Sequence, residues 1–553
     1  MNVEKEQPLI VVYGLWHLGC VTAASLAQEG FRVIGLDSNQ AVIENLQAGK
    51  PPIFEPGLTE LIVANQGSDD RSAVGVRLRP PIGGLSFTHN HAEALASADL
   101  LWVAFDTPVD EEDRADVGYV EQQLEDAFPH LKAGTVILIS SQLPVGSTDA
   151  LRQRWHKRDP EKHLVYAYSP ENLRLGNALK SFRAEDRIVI GLDGDEGKAL
   201  LGDILSRFCP RLEWMSVKSA EMTKHALNSF LAVSVAMINE IARICEQTGA
   251  DAKEVERGLK SEMRIGSRAY LGPGAPFAGG TLARDLRFLV QLGANYGLET
   301  PLLSGTLASN EIHKGWVQTA VTHILSEQHQ LTEQHPTGGT QHQLTEQHPT
   351  GGTQHQLTEQ HPTGGTQHQL TEQHPTGGTQ YQLTEQHPTN VGGISNPDLS
   401  TNRSAGREDK VRVTILGLSY KPGTDTLRRS EAVSLGLWLV EQTARYSVEV
   451  TFHDPVVAEL PEELANQFSL TNDLTAALTG ADLVVVATGW PIYREQISPE
   501  VLAATMRHQA VIDQNRFLVA QLGNSANITY LAVGKPENRQ PTDHQWQPVD
   551  LTS

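Results

Sequence analysis

The sequence predicts an α/β protein in which two doubly wound, Rossmann-like sheets are joined by a long central helix. Three observations predict it. Apolar runs alternate with helical patterns over the first 210 residues, a long helical stretch without Gly or Pro follows, and the alternation begins again near residue 410. Strands that alternate with helices are typical of a parallel sheet covered on both faces.

The first sheet begins with the apolar run "PLIVVYG", which ends at Gly14. A helical pattern, "LWHLGCVTAASLAQEG", comes next, and the strand "FRVIGLD" ends at Asp37. Further strands are expected at 100–105, 135–140, 163–169 and 187–193. Residues 8–210 are therefore expected to form one Rossmann-like domain.

The second element of the prediction is the helix from Ser219 to Glu246. It would be ~42 Å long at ~1.5 Å per residue, and helices of that length often bridge domains or subunits. Its apolar positions lie on more than one side, which favours burial against several neighbours. We expect residues 211–327 to form a central helical domain whose long helix bridges domains or subunits.

A repeat follows the central segment. The unit "LTEQHPTGGTQHQ" begins at Leu331 and recurs every 13 residues, with a last, shortened copy at Leu383. Each unit has one leucine and a Pro-Thr-Gly-Gly break, so it buries too little apolar surface to offset the entropy of ordering. His-rich tracts can bind metal, but the loose spacing favours a disordered linker, which we place at 328–409.

The alternation of strand and helix then resumes. "KVRVTILGLSYKPGTDTLRRSEAVSLGLWLV" predicts a strand, a polar loop and a helix, and "VEVTFHDP" and "DLVVVATGW" predict two more strands. Residues 410–535 are expected to form a second Rossmann-like domain, and 536–553 a polar tail.

Composition excludes several classes of function. The 44 Lys and Arg residues against 66 Asp and Glu give a net charge of -22, which opposes general attraction to nucleic acid or to an anionic membrane. The three cysteines form no CxxC pair, and the histidines have no ligand-like spacing, so we expect no metal site. With no signal peptide or membrane span expected either, the sequence indicates a cytoplasmic protein.

The turn after the first strand has the layout of a dinucleotide-binding unit. It reads Gly14, Leu15, Trp16, His17, Leu18, Gly19, and Asp37 lies 23 residues after Gly14, suitably placed for a ribose hydroxyl pair. Trp16 stands where the middle glycine of GxGxxG lets the pyrophosphate approach. The turn therefore leaves two readings open, a cofactor site and a turn that binds nothing, and an aspartate at 37 favours NAD over NADP if either binds.

Several ordered motifs together resemble a known family. They are "EPGL" at 55–58, "SPENLR" at 169–174, the long helix with Lys224 and Asn228, "RIG…YLGPGAPFAGGTLARD", and "GLSYKPGTDTLRRS" at 417–430. In this order they are similar to the UDP-glucose/GDP-mannose dehydrogenase family. The resemblance covers nearly all of the chain except the repeat and the tail.

The resemblance implies a four-electron oxidation of the C6 alcohol of a UDP- or GDP-linked sugar to a carboxylate, with two NAD reduced. It also implies a dimer or higher oligomer built on the long central helix. It implies that Lys224 and Asn228, four residues apart on one helix face, steady the developing oxyanion. Asp285 would hold or activate water and Glu171 would support hydrolysis. Each also has a structural reading: Lys224 would be solvated on its helix, Asn228 would cap a packing contact, Asp285 would be a helix N-cap, and Glu171 would lie in the first turn of a helix.

The same resemblance assigns binding roles to two further sets of residues. Those for the cofactor are Gly14, Leu15, His17, Leu18, Gly19, Asp37, Thr107 and Arg428. Those for the substrate are Asn172, Leu173, Arg174, Tyr270, Phe277, Gly279 and Lys421.

The chain departs from the family pattern where covalent chemistry is expected. Thr281 stands at the position of the family's nucleophilic cysteine, and Arg284 at that of the lysine before the aspartate. Gln142 replaces a threonine, Leu175 a glutamate and Asp106 a glycine. A thiol supplies some thiolate at neutral pH whereas an alcohol needs an adjacent base.

Three hypotheses remain open at this stage. The chain is an NAD-dependent oxidoreductase of a nucleotide sugar, impaired in the second oxidation; or a non-catalytic protein that binds a nucleotide sugar; or a two-electron dehydrogenase on the same fold. The departures argue against a full four-electron oxidation, whereas the retained glycines and the helix with Lys224 and Asn228 favour sugar binding.

Overall fold

The computed structural model describes residues 7–66, 84–108, 116–171, 173, 176–334, 410–427, 430–442 and 447–536. The remaining residues include most of the predicted linker and tail. They also include three predicted site residues, Asn172, Arg174 and Arg428, which lie outside the described part of the chain.

The first sheet has the strand order β3-β2-β1-β4-β5-β6-β7-β8. Its elements are β1 Leu9–Tyr13, α1 His17–Gln28, β2 Arg32–Leu36, α2 Gln40–Gln47, α3 Leu58–Asn65, β3 Leu85–Thr88, α4 His91–Leu95, β4 Leu100–Val103, α5 Val117–Ala127, a 3-10 turn Phe128–His130, β5 Val136–Ile139, α6 Ser147–Arg158, β6 Val165–Tyr168, α7 Ala178–Arg183, β7 Ile188–Leu192, α8 Lys198–Leu205 and β8 Leu212–Met215. The prediction of a doubly wound sheet is confirmed, because the order 3-2-1-4-5-6 of the first six strands is that of a dinucleotide-binding fold.

One part of this sheet departs from the parallel arrangement that the sequence predicts. Strand β7 pairs with β6 in the antiparallel sense, with Ala167 opposite Leu192 and Tyr168 opposite Gly191. Strand β8 then pairs with β7 in parallel. Alternating helices and strands in the sequence do not specify at which end of the sheet a connection enters the next strand, so the reversal was not foreseen.

Helices form the middle of the chain. They are α9 Val217–Thr248, α10 Ala252–Ser261, a π-helical turn Gly279–Ala283, α11 Arg284–Asn295, α12 Pro301–Lys314 and α13 Trp316–Gln334. The predicted long helix is confirmed and slightly extended: Ser216 caps its start and Gly249, with positive φ, ends it. Helix α13 continues beyond residue 328, where we expected the linker to begin, because the next helix-breaking residue is Pro336.

Helix α9 is long and apolar enough to cross a membrane by length and composition, which the sequence analysis did not anticipate. Half of its most apolar stretch is buried inside the structure. Its buried polar side chains include Lys224, His225 and Asn228. These properties are those of a core helix of a soluble protein.

The second sheet repeats the topology of the first six strands of the first sheet. Its strand order is β11-β10-β9-β12-β13-β14, all parallel. Its elements are β9 Val411–Leu416, α14 Glu431–Glu441, β10 Val448–His453, α15 Glu462–Ala465, β11 Ser469–Thr471, α16 Leu474–Leu478, β12 Leu483–Val486, α17 Pro491–Gln496, α18 Pro499–Thr505, β13 Ala510–Asp513, α19 Val519–Leu522 and β14 Thr529–Leu531. The prediction of a second Rossmann-like sheet is thus confirmed.

Candidate active site

The turn between β1 and α1 depends on its two glycines. Gly14 has φ of 97°, and a Cβ there would lie 2.7 Å from the ring of Phe105. A Cβ on Gly19 would lie 1.8 Å from the carbonyl oxygen of Gly14. Because no side chain fits either position, the turn packs closely against the start of α1 only when both residues are glycine.

Asp37, at the end of β2, closes the same turn. Its carboxylate accepts hydrogen bonds from the backbone N–H of Leu15 at 2.8 Å and of Asn39 at 2.9 Å. Trp16 is 47% exposed and makes no capping hydrogen bond to α1. The N-terminal N–H groups of α1 therefore have no side-chain cap, which is the condition for binding an anion there.

His17 and Leu18 contribute to the turn in different ways. Leu15 and Leu18 are buried, so they can face a ligand only through their backbone. His17 Nε2 lies 3.0 Å from Glu55 Oε2. Glu55 also accepts from the backbone N–H of Gly176 and Ala178, so the His17 side chain ties α1 to the "EPGL" segment and to the start of α7.

Four of the residues that the sequence assigns to the chemistry lie on helix α9 or in contact with it. Asn228 Nδ2 donates to Asp285 Oδ2 at 2.6 Å, and both side chains are buried. Lys224, also buried, donates to the backbone carbonyl of Glu171, and its Nζ lies 4.0 Å from Glu171 Oε1. The expectation that Lys224 and Asn228 share a helix face is consistent with these contacts.

Asp285 is surrounded by polar partners. Besides Asn228, its carboxylate accepts from Gln142 Nε2 and lies 3.3 Å from His225 Nδ1. Arg284 in turn donates to Gln142 Oε1. Gln142 and Arg284, two of the positions that we expected to differ from the family pattern, therefore contact each other and Asp285, a link that no local sequence pattern could indicate.

Two ionisable groups in this region have altered acidity. Burial lowers the pKa of Arg284, while the carboxylates of Asp285 and Asp106 raise it. Burial also raises the pKa of Glu185 to about 7, helped by Glu171 and opposed by Lys224. No local pattern indicates Glu185 as a site residue, because its neighbours in the sequence are the polar "AEDR" before β7.

Thr107 contacts the backbone of Gln142, whereas Asp285 and Arg284 contact its side-chain amide. Its Oγ1 donates to the backbone carbonyl of Gln142 at 2.6 Å, and the side chain is buried. Asp106 beside it is exposed. The loop after β4 and the loop after β5 are thus fastened to each other at the carboxyl ends of neighbouring strands, where open α/β sheets bind ligands.

Thr281 lies in the π-helical turn at the start of α11. It is exposed and faces a cavity of about 600 Å³ between the central helices and the second sheet. Three predicted substrate residues, Tyr270, Phe277 and Lys421, line this cavity, whereas Asp285 is fully buried four residues after Thr281. Further lining residues that the sequence analysis did not single out are Tyr420, Glu431, Thr488, Gln514 and Asn515.

The other predicted residues have these places. Gly279 begins the π-helical turn. Leu173 packs against the core of the first sheet, and its N–H donates to Glu171 Oε2 at 2.6 Å. The three cysteines are buried free thiols, and none of them lines the cavity.

Three family models match the chain. The UDP-glucose/GDP-mannose dehydrogenase family's NAD binding domain matches residues 8–209, its central domain 218–312 and its UDP binding domain 414–520. Together they span most of the chain outside the repeat.

Individual relatives agree with the family models. The UDP-glucose 6-dehydrogenase of Rhizobium meliloti is 25% identical over 535 residues, covering 96% of this chain and 100% of the relative. That of Pseudomonas aeruginosa is 27% identical over 541 residues, covering 95% and 97%. A structure of a UDP-glucose dehydrogenase from Pyrobaculum islandicum aligns with a TM-score of 0.68 and 25% identity, covering 97% and 99%.

Proposed function

The chain belongs to the UDP-glucose/GDP-mannose dehydrogenase family, as an NAD-dependent oxidoreductase of the UDP-glucose 6-dehydrogenase type, and we propose that Thr281 restricts its second oxidation. In this proposal it oxidises the C6 alcohol of a UDP- or GDP-sugar for polysaccharide synthesis. The observation that carries the proposal is the buried cluster of Lys224, Asn228 and Asp285 beside the turn of Thr281.

The glycine turn fits the cofactor. The uncapped start of α1, the glycine contacts and the acid at the end of β2 supply anion-binding N–H groups and a ribose acceptor. The residues that would hold NAD are Gly14, Leu15, His17, Leu18, Gly19, Asp37 and Thr107, and Arg428 stays a prediction. When bound, NAD supplies the hydride acceptor.

Lys224 and Asn228 would stabilise the substrate oxygen as its proton leaves. Lys224 is buried and held by Glu171, so its ammonium acts in a medium of low polarity, where a fixed cation stabilises an alkoxide strongly. Asn228 adds a donor one turn along α9. Both side chains are held in place before the reaction, which lowers the cost of reorganisation.

Asp285 and Glu171 would serve the step that needs water. Asp285 is held by Asn228 and Gln142 in one orientation. Glu171 is partly exposed and adjoins Lys224, so it can reach solvent while Asp285 cannot. Glu171 is therefore the better placed of the two to accept a proton from a hydrated aldehyde.

Thr281 would limit the second oxidation. A threonine hydroxyl becomes a nucleophile only with a base to take its proton, and within the described chain its contacts include no such base. Without a covalent thiohemiacetal, the aldehyde must be hydrated in place or released. The expected product is therefore an aldehyde, or a carboxylate formed slowly through the hydrate.

The cavity beside Thr281 is the proposed substrate site. Its volume of about 600 Å³ suits a nucleotide sugar, and Lys421 offers positive charge for a diphosphate. Tyr270 and Phe277 offer aromatic surface for the base or the sugar. Asn172, Leu173, Arg174 and Gly279 complete the predicted substrate set.

We also propose a homodimer through α9. Phe230, Met237 and Ile244 recur every seven residues and are 68%, 48% and 56% exposed, so they form an unburied apolar stripe along the helix. A second copy of the same helix would cover it.

The proposal also includes the domain division given above, a cytoplasmic location and no nucleic-acid partner.

Product stoichiometry tests the proposed reaction. The protein is incubated with UDP-glucose and NAD, NADH is measured by absorbance, and the sugar product is identified by mass spectrometry. One NADH per aldehyde is expected for the native chain, and Thr281→Cys is expected to approach two NADH per carboxylate. Thr281→Ser is the matched control, since it changes the side chain without supplying a thiol.

The other hypotheses predict different outcomes. Full, fast four-electron turnover by the native chain would show that Thr281 does not limit the reaction. Binding of nucleotide sugars without turnover on any UDP- or GDP-sugar would identify a non-catalytic binding protein. Calorimetry with NAD and with UDP-glucose separately distinguishes a lost cofactor site from a lost substrate site.

A further inference from the structure

The substrate cavity is bordered by a loop, residues 272–277, which we call the cavity loop. Helix α9 holds it through Asn239, which accepts from the N–H of Gly274 at 3.0 Å. Helix α12 holds it through Asn310, which makes two hydrogen bonds with the backbone of Phe277. Both anchors belong to the central helices, so they fix only one side of the loop.

The anchor from the second sheet is Asn515. Its Oδ1 accepts from the backbone N–H of Ala275 at 2.9 Å, and it lines the cavity. A Cβ on Gly274 would lie only 2.7 Å from the same oxygen, so the side chain is in close contact with the loop. The position of Asn515 therefore sets the shape of the cavity on this side.

The next residue holds Asn515 from behind. Arg516 is buried and has φ of 56°, a left-handed conformation that non-glycine residues seldom adopt. Its guanidinium makes two hydrogen bonds to Asp251, at 2.8 and 2.7 Å. Such a planar, two-point contact fixes the orientation of the arginine and supports the unusual backbone.

Gly534 completes the same contact. Its carbonyl accepts from the N–H of Ala252 at 2.8 Å and from Arg516 at 3.3 Å, and its N–H donates to Glu246 at 2.7 Å. Its φ is 67°, and a Cβ there would lie 2.3 Å from the Cβ of Ala252. Only glycine fits, so the end of the second domain is inserted between α9 and α10.

We propose that Glu246, Asp251, Arg516 and Gly534 form a clasp that positions Asn515 against the cavity loop and thereby sets the affinity for the nucleotide sugar. None of these four is among the cavity-lining residues of the described chain. They act through Asn515, so they are positioning residues. The inference rests on the proposed function, in which the cavity takes the nucleotide sugar.

Asp251→Asn is the sharpest test. Asparagine keeps the shape of the side chain and can still cap α10, as Asp251 does through the N–H of Lys253, but it removes the charge that holds Arg516. We expect the affinity for UDP-glucose, measured by calorimetry, to fall about tenfold, as for the loss of one charged hydrogen bond. The affinity for NAD should not change.

A double-mutant cycle shows whether the clasp acts through Asn515. Asn515→Ala alone should weaken UDP-glucose binding, and Asp251→Asn should add little to it, because the loop contact is already lost. Arg516→Lys, which keeps the charge and one hydrogen bond, should retain more affinity than Arg516→Met. Arg412→Gln, which breaks the exposed pair of Arg412 with Glu449 in the same domain, is the matched control and should bind normally.

Each outcome is decisive. Unchanged UDP-glucose affinity in Asp251→Asn, an equal loss of NAD affinity, or additive losses in the cycle would overturn the clasp while leaving the proposed function standing. A native chain that binds no nucleotide sugar at all would instead remove the proposed function and the clasp with it. Circular dichroism and thermal unfolding confirm that each variant is folded.

Discussion

Glu185→Gln should change how the stability of the protein depends on pH. The carboxyl of Glu185 is partly buried near Glu171, and its pKa is raised from 4.5 to about 7 in the folded chain. The folded state therefore binds more protons than the unfolded state between these two values. Where the folded state holds the extra proton, stability falls as the pH rises. The stability that the protonated Glu185 carboxyl contributes is therefore fully present below pH 4.5 and is lost above about pH 7.

The expected size follows from the same two values. At ~1.4 kcal/mol per pH unit, the difference between 4.5 and about 7 corresponds to roughly 3 kcal/mol of unfolding free energy. Since Glu185 is only partly buried, solvent screens part of this energy, and we expect a measured change in unfolding free energy of about 1–3 kcal/mol. Glutamine has no proton to lose, so the variant should not show this loss.

Urea denaturation at a series of pH values from 4.5 to 7.5 measures the effect. The native chain should lose stability relative to Glu185→Gln as pH rises across this window. Glu29→Gln, an exposed glutamate on the same domain, controls for the removal of a carboxyl group. Parallel curves for the native chain and Glu185→Gln would refute the reasoning.

Three further predictions test other parts of the structure. Gly19→Ala should destabilise the first domain by about 3 kcal/mol or more and abolish NAD binding in calorimetry, since the new Cβ meets the carbonyl of Gly14; normal NAD binding would contradict it, and Gly202→Ala in α8, where a Cβ meets nothing nearer than the ring of Trp214 at 3.9 Å, is the comparison. Phe230→Asp should convert the proposed dimer to monomer in analytical ultracentrifugation, whereas Phe54→Asp, another exposed aromatic, should leave it unchanged; an intact dimer in both would place the interface elsewhere. Gln142→Thr and Arg284→Lys should each lower the free energy of unfolding by about 1–3 kcal/mol in denaturation. The double variant should lose at least ~1 kcal/mol less than the sum of the two, because the two side chains share one contact; additive losses would show that they act separately.

The sequence predicted the features that are local in the chain. The doubly wound sheets, the long helix and the placement of Lys224 and Asn228 on it follow from periodicity, glycine turns and helix spacing. Element order and type depend on such neighbours, so they could be inferred. The reversal of strand β7 could not, because pairing partners come from distant parts of the chain.

The site was predictable only in part, for the same reason. Gln142 and Asp285 are 143 residues apart in sequence, and Arg516 and Asp251 are 265 apart. The raised pKa of Glu185 comes mainly from burial, which local composition does not reveal. What each residue contacts is therefore a property of the packed molecule.

The contacts of Gln142 and Arg284 bear on whether the departures mark a site that has lost its chemistry. Polar residues that accumulate in an unused buried site leave donors and acceptors without partners, at a cost in stability. Here the Gln142 amide uses both ends, donating to Asp285 and accepting from Arg284. The two substitutions thus form one connected arrangement around the carboxylate that Asn228 also holds. Apart from Arg284 Nε and His225 Nδ1, which have no hydrogen-bond partner within the described chain, this network is connected, and it supports our proposal that Thr281 changes the reaction that the site completes.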